Sequence, residues 1–273
     1  MNRIDAIFDA LRREQRKALM PFLCAGYPTP DATGPALRAL DGAGASVIEI
    51  GFPFSDPIAD GPVIAAAMHQ ALGEGITPAR ILRDVAAVRG EIRAGLVAMV
   101  SVSIVHRIGA AAFARDLAGA GFDGVILPDA PLEEAATLAE PFRAAGLTTT
   151  LLIAPTTPAD RTGAIARACT GFVYLLSRVG LTGDGGAGPD IASLRERIAA
   201  IRRATALPIA CGFGISTPEQ VGAVVAEGGA DAAIVGSALV RAMGDAHQRR
   251  ADPAGAAGAL CAALAAGLAS ITA

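Results

Sequence analysis

Short apolar runs and longer amphipathic stretches alternate along the whole chain. The runs are apolar on both faces, which is typical of parallel strands covered by helices. They lie at residues 18–24, 46–51, 95–102, 124–128, 148–154, 171–177, 207–212 and 231–236. Eight such strands, each followed by a helix, favour closure into a barrel over an open sheet. We therefore predict an α/β fold, a single (β/α)₈ TIM barrel domain over residues 1–273.

The stretches between these runs have the periodicity and the end signals of helices. Helices are predicted over residues 32–43, 78–93, 110–120, 131–145, 158–167, 190–203 and 217–227. At Thr77-Pro78, Thr157-Pro158 and Thr217-Pro218, a threonine cap precedes a proline at the first helical position.

The two ends of the chain are also predicted to be helical. An extra N-terminal helix is indicated by an apolar stripe made of Ile4, Ile7, Phe8 and Leu11. This end lacks the apolar core and cleavage site of a signal peptide, so we expect a cytoplasmic protein. Residues 254–273 carry no charge. Because alanine and glycine partition weakly into lipid, a final helix packing its leucines on the barrel is favoured over a membrane span.

The balance of charged residues and the spacing of the cysteines exclude some classes of function. Lys and Arg number 23 against 26 Asp and Glu, so no basic excess exists to neutralise a nucleic-acid backbone. The four cysteines are far apart, without a Cys-x-x-Cys pair, and the three histidines do not cluster with them. We therefore expect no metal site, and free buried thiols in a reducing compartment.

A carboxylate interrupts the second apolar run, at Glu49. Burying it as an ion costs several kcal/mol unless it is paired or takes up a proton. Burial raises the pKa, which suits a group that donates and accepts protons near neutral pH. The alternative is a structural glutamate paired with a buried arginine.

The following loop, GFPFSDPIADGP at 51–62, contains two more carboxylates, Asp56 and Asp60. Its prolines make it stiff enough to hold a carboxylate beside Glu49. Two carboxylates in different environments can divide the chemistry, one moving protons and one remaining ionised.

Glycine-rich loops follow the seventh and eighth runs. Gly212-Phe213-Gly214 and Gly236-Ser237 lie where barrels often bind phosphate, through backbone N–H groups and a helix start. Tight turns without a ligand are the alternative. The longest non-helical stretch, 177–190, has five glycines and is predicted to be a lid, with a tolerated surface insertion as the alternative.

Several motifs resemble the signatures of the tryptophan synthase alpha chain family. They are PFLCAGYP (21–28), EIGFPFSDPIADGP (49–62), LPDAPLEE (127–134), IAPTTPADR (153–161), YLLSRVGLTG (174–183), GFGIS (212–216) and GSALV (236–240). The resemblance covers nearly the whole chain, and the 49–62 motif is specific. It implies a lyase of tryptophan biosynthesis that cleaves indole-3-glycerol phosphate to indole and glyceraldehyde 3-phosphate, with no cofactor in this chain.

The resemblance also implies roles for individual residues. Glu49 matches the general acid/base that protonates the indole ring carbon and takes part in deprotonating the side-chain hydroxyl, and Asp60 stabilises charge developing on the indole N–H. Thr182 matches a threonine that closes the lid over Asp60. The other substrate-binding matches are the pocket residues Phe22, Tyr174 and Phe213 and the phosphate cradle Gly183, Gly214, Gly236 and Ser237.

A partner is implied as well. Alpha chains dock on a pyridoxal-phosphate-dependent beta chain, here expected as an alpha2beta2 tetramer, and indole passes to it through a tunnel. Pro53, Asp56 and Pro57 match the loop that faces the beta chain.

The chain departs from the family pattern at two places, of which the one at residues 101–104 bears on docking with the beta chain. Residues 101–104 stand where the family usually has tyrosines and an Asn-Pro, and Cys24 replaces the usual threonine. Three interpretations stay open: an ordinary alpha subunit, a free-standing indole-3-glycerol-phosphate lyase, and a non-catalytic regulatory paralogue.

Overall fold

A computed structural model of the protein describes residues 1–57, 60–176, 190–212 and 214–269. Eight parallel strands form a closed barrel in chain order. They are β1 (Ala18–Cys24), β2 (Val47–Gly51), β3 (Gly95–Met99), β4 (Gly124–Leu127), β5 (Thr148–Ile153), β6 (Val173–Leu176), β7 (Ile209–Gly212) and β8 (Ala232–Val235). The predicted barrel is confirmed, and each predicted apolar run contains one strand.

Helices follow the strands and surround the barrel. They are α1 (Arg3–Arg13), α2 (Thr33–Gly42), α3 (Pro62–Gly73), α4 (Pro78–Val88), α5 (Val102–Ile108), α6 (Ala110–Ala120), α7 (Ala135–Ala144), α8 (Ala159–Ala168), α9 (Ile191–Arg202), α10 (Pro218–Gly222), α11 (Ser237–Gln248) and α12 (Pro253–Ala269). A π-helical turn, Ala223–Glu227, continues α10. The pattern of the sequence predicted most of these helices but not α3, α5 and α11.

The strands separate two apolar layers. Ile48 and Ile50 belong to the layer between strands and helices, whereas Val47 belongs to the barrel interior. The predicted N-terminal helix α1 closes the lower end of the barrel, where Phe8 packs against Phe172 with ring centroids 6.1 Å apart. The open upper end, at the carboxyl ends of the strands, is therefore the one available for a site.

The last helix, α12, packs on the barrel through the predicted leucine stripe. Leu264 is fully buried, and Leu260 and Leu268 pack against the same cluster. Across the described ranges, no helix is long and apolar enough to cross a membrane.

The third strand is shorter than its apolar run. β3 ends at Met99, and the chain enters α5 at Val102 because Ser101 caps that helix, its Oγ accepting from Ser103 N at 3.2 Å. Asp129, from the loop after β4, accepts from Ser101 Oγ at 2.6 Å and from Val102 N at 2.9 Å. The prediction of strand structure up to residue 102 was therefore wrong at its end.

One of the three predicted threonine caps is also wrong. Thr77 and Thr217 cap α4 and α10 as predicted. At the third position the N-cap is Pro158 and α8 begins at Ala159. The Thr157 hydroxyl instead accepts from Ala154 N at 2.9 Å, so it stabilises the end of β5.

Replacing Arg89 with methionine is expected to lower the free energy of unfolding by about 3 kcal/mol. Arg89 Nη2 lies 2.9 Å from Asp123 Oδ2, and both side chains are only 13% exposed. The substitution leaves a mostly buried carboxylate with only the half-exposed Arg3, whose Nε lies 3.7 Å from Asp123 Oδ1, as its cation. Urea unfolding measures the loss, with Glu91→Gln as the matched control because the Arg38–Glu91 pair is exposed. Equal losses in both variants would contradict this account of the Arg89–Asp123 pair.

Candidate active site

A cavity lies at the upper end of the barrel, where the strands end. Among the described residues its wall consists of Phe22, Asp60, Ile64, Met99, Pro128, Leu152, Tyr174, Leu176, Gly212, Gly214, Ile234, Gly236 and Ser237. The wall is apolar except at three places: Asp60, the Tyr174 hydroxyl, and the loops that hold the three glycines and Ser237. No lysine or arginine of the described chain lines it.

Glu49 does not line this cavity, and its side chain is buried within the barrel. It pairs in register with Phe22 of β1 and Val97 of β3, and alternation along β2 turns its side chain inward with Val47. Glu49 is fully buried, and neither carboxylate oxygen has a hydrogen-bond partner within the described part of the chain. Burial raises its pKa well above the usual value. The alternative of a structural pair with a buried arginine is therefore wrong for the described residues.

Asp60 is the second carboxylate of the site and lines the cavity directly. Its backbone N–H donates to the carbonyl oxygen of Pro57 at 3.0 Å, which anchors this end of the stiff loop. Desolvation raises the pKa of Asp60 to about 6. Both Asp60 and Glu49 act electrostatically on Tyr174 and, after burial, contribute to the raised pKa of its hydroxyl. Both carboxylates therefore influence the same tyrosine.

Two glycines create the space for the aromatic walls. A Cβ at position 51 would lie 2.4 Å from Phe22 Cζ, so only glycine lets this ring lie across the end of β2. A Cβ at position 212 would lie 3.1 Å from the Tyr174 hydroxyl oxygen. Both rings form part of the cavity wall, and this apolar part, the aromatic slot, is suited to a flat aromatic group.

Another part of the cavity wall contains Gly214, Gly236 and Ser237, where backbone groups are accessible. Gly214 has φ +64°, a conformation that favours glycine, and Gly236 is the N-cap of α11. Ser237, the first residue of α11, is buried. The first N–H groups of a helix have no partner within the helix, and the helix dipole is positive there. This arrangement can bind an anion without a basic side chain.

Three predicted substrate-binding residues, Thr182, Gly183 and Phe213, lie outside the described residues, as does most of the predicted lid. The structure brings the other predicted substrate-binding residues together around one cavity: Phe22, Tyr174, Gly214, Gly236 and Ser237.

Sequence reasoning missed part of the apolar wall. Met99, Leu152 and Ile234 are inward-facing residues of strands that end at the cavity, and Ile64 comes from α3. For the three strand residues, the only signal in the sequence is their position at or near the last inward-facing residue of an apolar run. A pattern of this kind becomes informative only when the strand ends are known.

A larger groove of about 740 Å³ lies between the loop after β2 and the helices α4, α5 and α6. The loop after β2 forms one wall with Phe52, Pro53 and Phe54, and α5 forms another with Ile104 and Ile108. The groove is mostly apolar, and Ile108 on its α5 wall is 36% exposed.

The three residues predicted to face a partner differ in exposure. Pro53 is buried and lines this groove, Asp56 is exposed, and Pro57 is half-buried. The Asp56 carboxylate accepts from the neighbouring Ser55 hydroxyl at 2.7 Å. The loop therefore presents a charged tip above an apolar groove.

Neither a metal cluster nor a disulfide is found in the described parts of the chain. No three His, Cys, Asp or Glu residues are placed to hold an ion there, and the four cysteines are free and buried.

Comparison with known proteins agrees with this geometry. The model of the family described as "Tryptophan synthase alpha chain" matches residues 8–268. Tryptophan synthase alpha chains of Rippkaea orientalis and Solibacter usitatus are 42% and 45% identical to this chain, covering 90% and 88% of it and 91% and 89% of their own lengths. The crystal structure of tryptophan synthase subunit alpha from Legionella pneumophila superposes with a TM-score of 0.89 at 34% identity, covering 99% of this chain and 100% of the other.

Proposed function

The chain belongs to the tryptophan synthase alpha chain family, and from this premise we propose that it is a lyase that cleaves indole-3-glycerol phosphate to indole and glyceraldehyde 3-phosphate. The observation that carries the proposal is Glu49, a fully buried carboxylate on β2 without a hydrogen-bond partner among the described residues. A stable fold gains nothing from such a group, because burying it without a partner costs free energy.

The reaction needs one proton added and one removed. The bond between the indole ring carbon C3 and the neighbouring carbinol carbon breaks, C3 takes up a proton, and the carbinol hydroxyl loses one to become the aldehyde. No electrons are gained or lost overall. A carboxyl group with a raised pKa holds the proton that C3 requires and can then accept the hydroxyl proton. Glu49 is the residue to which we assign this role.

Asp60 is assigned the complementary electrostatic role. As C3 is protonated, positive charge develops on the indole ring and its N–H, and an ionised carboxylate beside that N–H stabilises it. Asp60 lines the cavity directly, and its pKa of about 6 leaves it mostly ionised at neutral pH. The Phe22 and Tyr174 rings would hold the indole flat between them.

The phosphate group is assigned to the backbone cradle of Gly214, Gly236 and Ser237. Ser237→Asp is expected to weaken binding of glyceraldehyde 3-phosphate on the order of 100-fold, because a carboxylate there opposes the phosphate charge. Isothermal titration calorimetry measures the affinity, and Ser237→Asn is the matched control with a neutral side chain of similar size. Unchanged affinity in the aspartate variant would remove this cradle from the account.

We also propose that the chain docks on a tryptophan synthase beta chain in an alpha2beta2 tetramer. The apolar groove between the loop after β2 and α5, with the charged Asp56 at its edge, supports such a contact. Pyridoxal phosphate would belong to that partner, and this chain would need no cofactor. We place the protein in the cytoplasm, since its four described cysteines are free thiols.

One observation keeps a second candidate open. The stretch that follows β3 is built from Ser101 and α5 instead of the family's usual tyrosines and Asn-Pro, and this stretch contributes to the groove. A lyase that works without a beta chain would tolerate such a change. A purely regulatory role is disfavoured, because it gives no reason to retain a buried Glu49 without a partner.

Indole release from indole-3-glycerol phosphate, measured for the purified chain with and without its own organism's beta chain, tests the proposal. Slow release alone and strong acceleration by the partner are expected for an alpha subunit. Fast release that ignores the partner would instead establish the free-standing lyase. No release in either case would overturn the proposed activity.

A further inference from the structure

One arginine on α9 joins the ends of two strands that carry cavity residues. Arg197 donates from Nη1 to the carbonyl oxygen of Leu176 at 2.8 Å and from Nη2 to that of Ala154 at 3.0 Å. Leu176 is the last residue of β6, and Ala154 directly follows β5. The two strands pair as far as Ile153 and Leu175. A single guanidinium therefore links β5 and β6 one residue beyond the last residues that pair with each other.

The end of β5 is fixed from the other side as well. Thr157 N donates to the carbonyl oxygen of Ala154 at 3.0 Å, and the Thr157 hydroxyl accepts from Ala154 N at 2.9 Å. The Thr157 hydroxyl is available for this hydrogen bond because it does not cap α8. Both backbone polar groups of Ala154 are thus held, and Arg197 connects this fixed point to β6.

The environment of Arg197 differs from that of an ordinary ion pair. The side chain is half-buried, and desolvation lowers its pKa. It forms no salt bridge with a carboxylate in the described part of the chain, and its charge faces two carbonyl oxygens and the nearby Cys211 thiol. The planar fork of a guanidinium reaches both oxygens at once, which a lysine ammonium does not do in the same geometry.

The bridged carbonyls lie next to the aromatic slot. Leu152 and Tyr174 face each other across the β5–β6 pair, two residues before Ala154 and Leu176, and both line the cavity. We propose that Arg197 is a positioning residue for the cleavage reaction: it fixes the rim of β5 and β6 so that Tyr174 and Leu152 form one wall of the indole slot. The expected kinetic effect of this inference rests on the proposed function, whereas the expected structural effect does not.

The composition of the chain allows a direct structural readout. The protein has no tryptophan and two tyrosines, so Tyr27→Phe leaves Tyr174 as the only strong emitter. In that background, acrylamide quenching reports how well Tyr174 is shielded. Arg197→Met is expected to raise the quenching constant about twofold, because the rim opens locally. Arg197→Lys is expected to give a smaller increase.

Kinetics of indole release supply the second readout. With the Tyr27→Phe chain as reference, Arg197→Met is expected to lower kcat/KM about 10-fold, since a misplaced wall misplaces the reacting carbon. The matched control is Arg195→Met on the same helix. Arg195 also donates to a backbone carbonyl, that of Glu227, at 3.0 and 2.8 Å, but it does not hold a strand of the slot. The control is expected to leave both readouts unchanged.

The outcomes separate the inference from the proposed function. Unchanged quenching in Arg197→Met, or equal changes in Arg195→Met, would overturn the positioning role. If the parent chain does not cleave indole-3-glycerol phosphate, the proposed function fails while quenching still decides the role of Arg197. If Arg197→Met does not fold, Arg197→Gln, which can still reach one carbonyl, is measured in the same way.

Discussion

Glu49→Gln is expected to reduce the rate of indole release about 1,000-fold, because glutamine can neither give a proton to C3 nor accept one from the hydroxyl. The substitution keeps the size of the side chain, so the slot and the phosphate cradle stay intact. Steady-state indole release measures the loss, and calorimetric titration with glyceraldehyde 3-phosphate is the control, expected to give unchanged affinity. Near-normal turnover in this variant would refute the assignment of Glu49.

The same variant is expected to be more stable than the natural chain at neutral pH. The pKa of Glu49 is raised well above its unfolded value, so the folded state holds a proton that the unfolded chain releases at neutral pH. The protonated Glu49 side chain therefore makes its full contribution to stability at pH values below its unfolded pKa. This contribution is lost as the pH rises. The gain from glutamine should therefore appear near pH 7 and shrink toward pH 4. A gain independent of pH would indicate a different cause.

The second large effect is expected at Asp60. Asp60→Asn should lower kcat/KM about 100-fold, because a neutral amide does not stabilise the charge that develops on the indole N–H. The pKa of Asp60 is raised to about 6, so in the natural chain kcat/KM should fall as the pH drops through about 6 and the carboxylate takes up a proton. The pH profile of kcat/KM measures both effects. The asparagine variant should lack this acidic limb.

Ser55 and Asp56 provide the control for Asp60. Asp56 is on the same loop but is exposed and hydrogen-bonded to Ser55, away from the cavity wall. Asp56→Asn should therefore keep the acidic limb and the rate of the isolated chain. If Asp56→Asn loses the acidic limb of the pH profile and Asp60→Asn retains it, the electrostatic role belongs to Asp56 and not to Asp60.

The barrel could be predicted from the sequence because strands that are buried on both faces leave continuous apolar runs. The missed helices had no such signal. α3 is rich in alanine, so its buried and exposed sides barely differ in hydropathy. α5 follows β3 after only two residues, and its start depends on Asp129, far along the chain. A contact of that kind is not visible in a local pattern.

Site residues could be predicted from the sequence where their side-chain type differs from that of the neighbouring residues. Glu49 is conspicuous because a carboxylate within an apolar strand is costly, and the glycines of the cradle mark close backbone approach. The wall residues Met99 and Leu152 resemble any other core residue. Arg197 resembled an ordinary polar residue of a surface helix, since its two carbonyl partners appear only when β5 and β6 lie side by side.

The most direct test of the account is a crystal structure of the Glu49→Gln variant with indole-3-glycerol phosphate bound. We predict that the indole ring lies between Phe22 and Tyr174, its N–H toward Asp60 and its C3 against residue 49. The phosphate should lie against the backbone of Gly236 and Ser237. A ligand bound elsewhere, or one whose phosphate occupies the aromatic slot, would contradict the assignment of this cavity as the site of indole-3-glycerol phosphate cleavage.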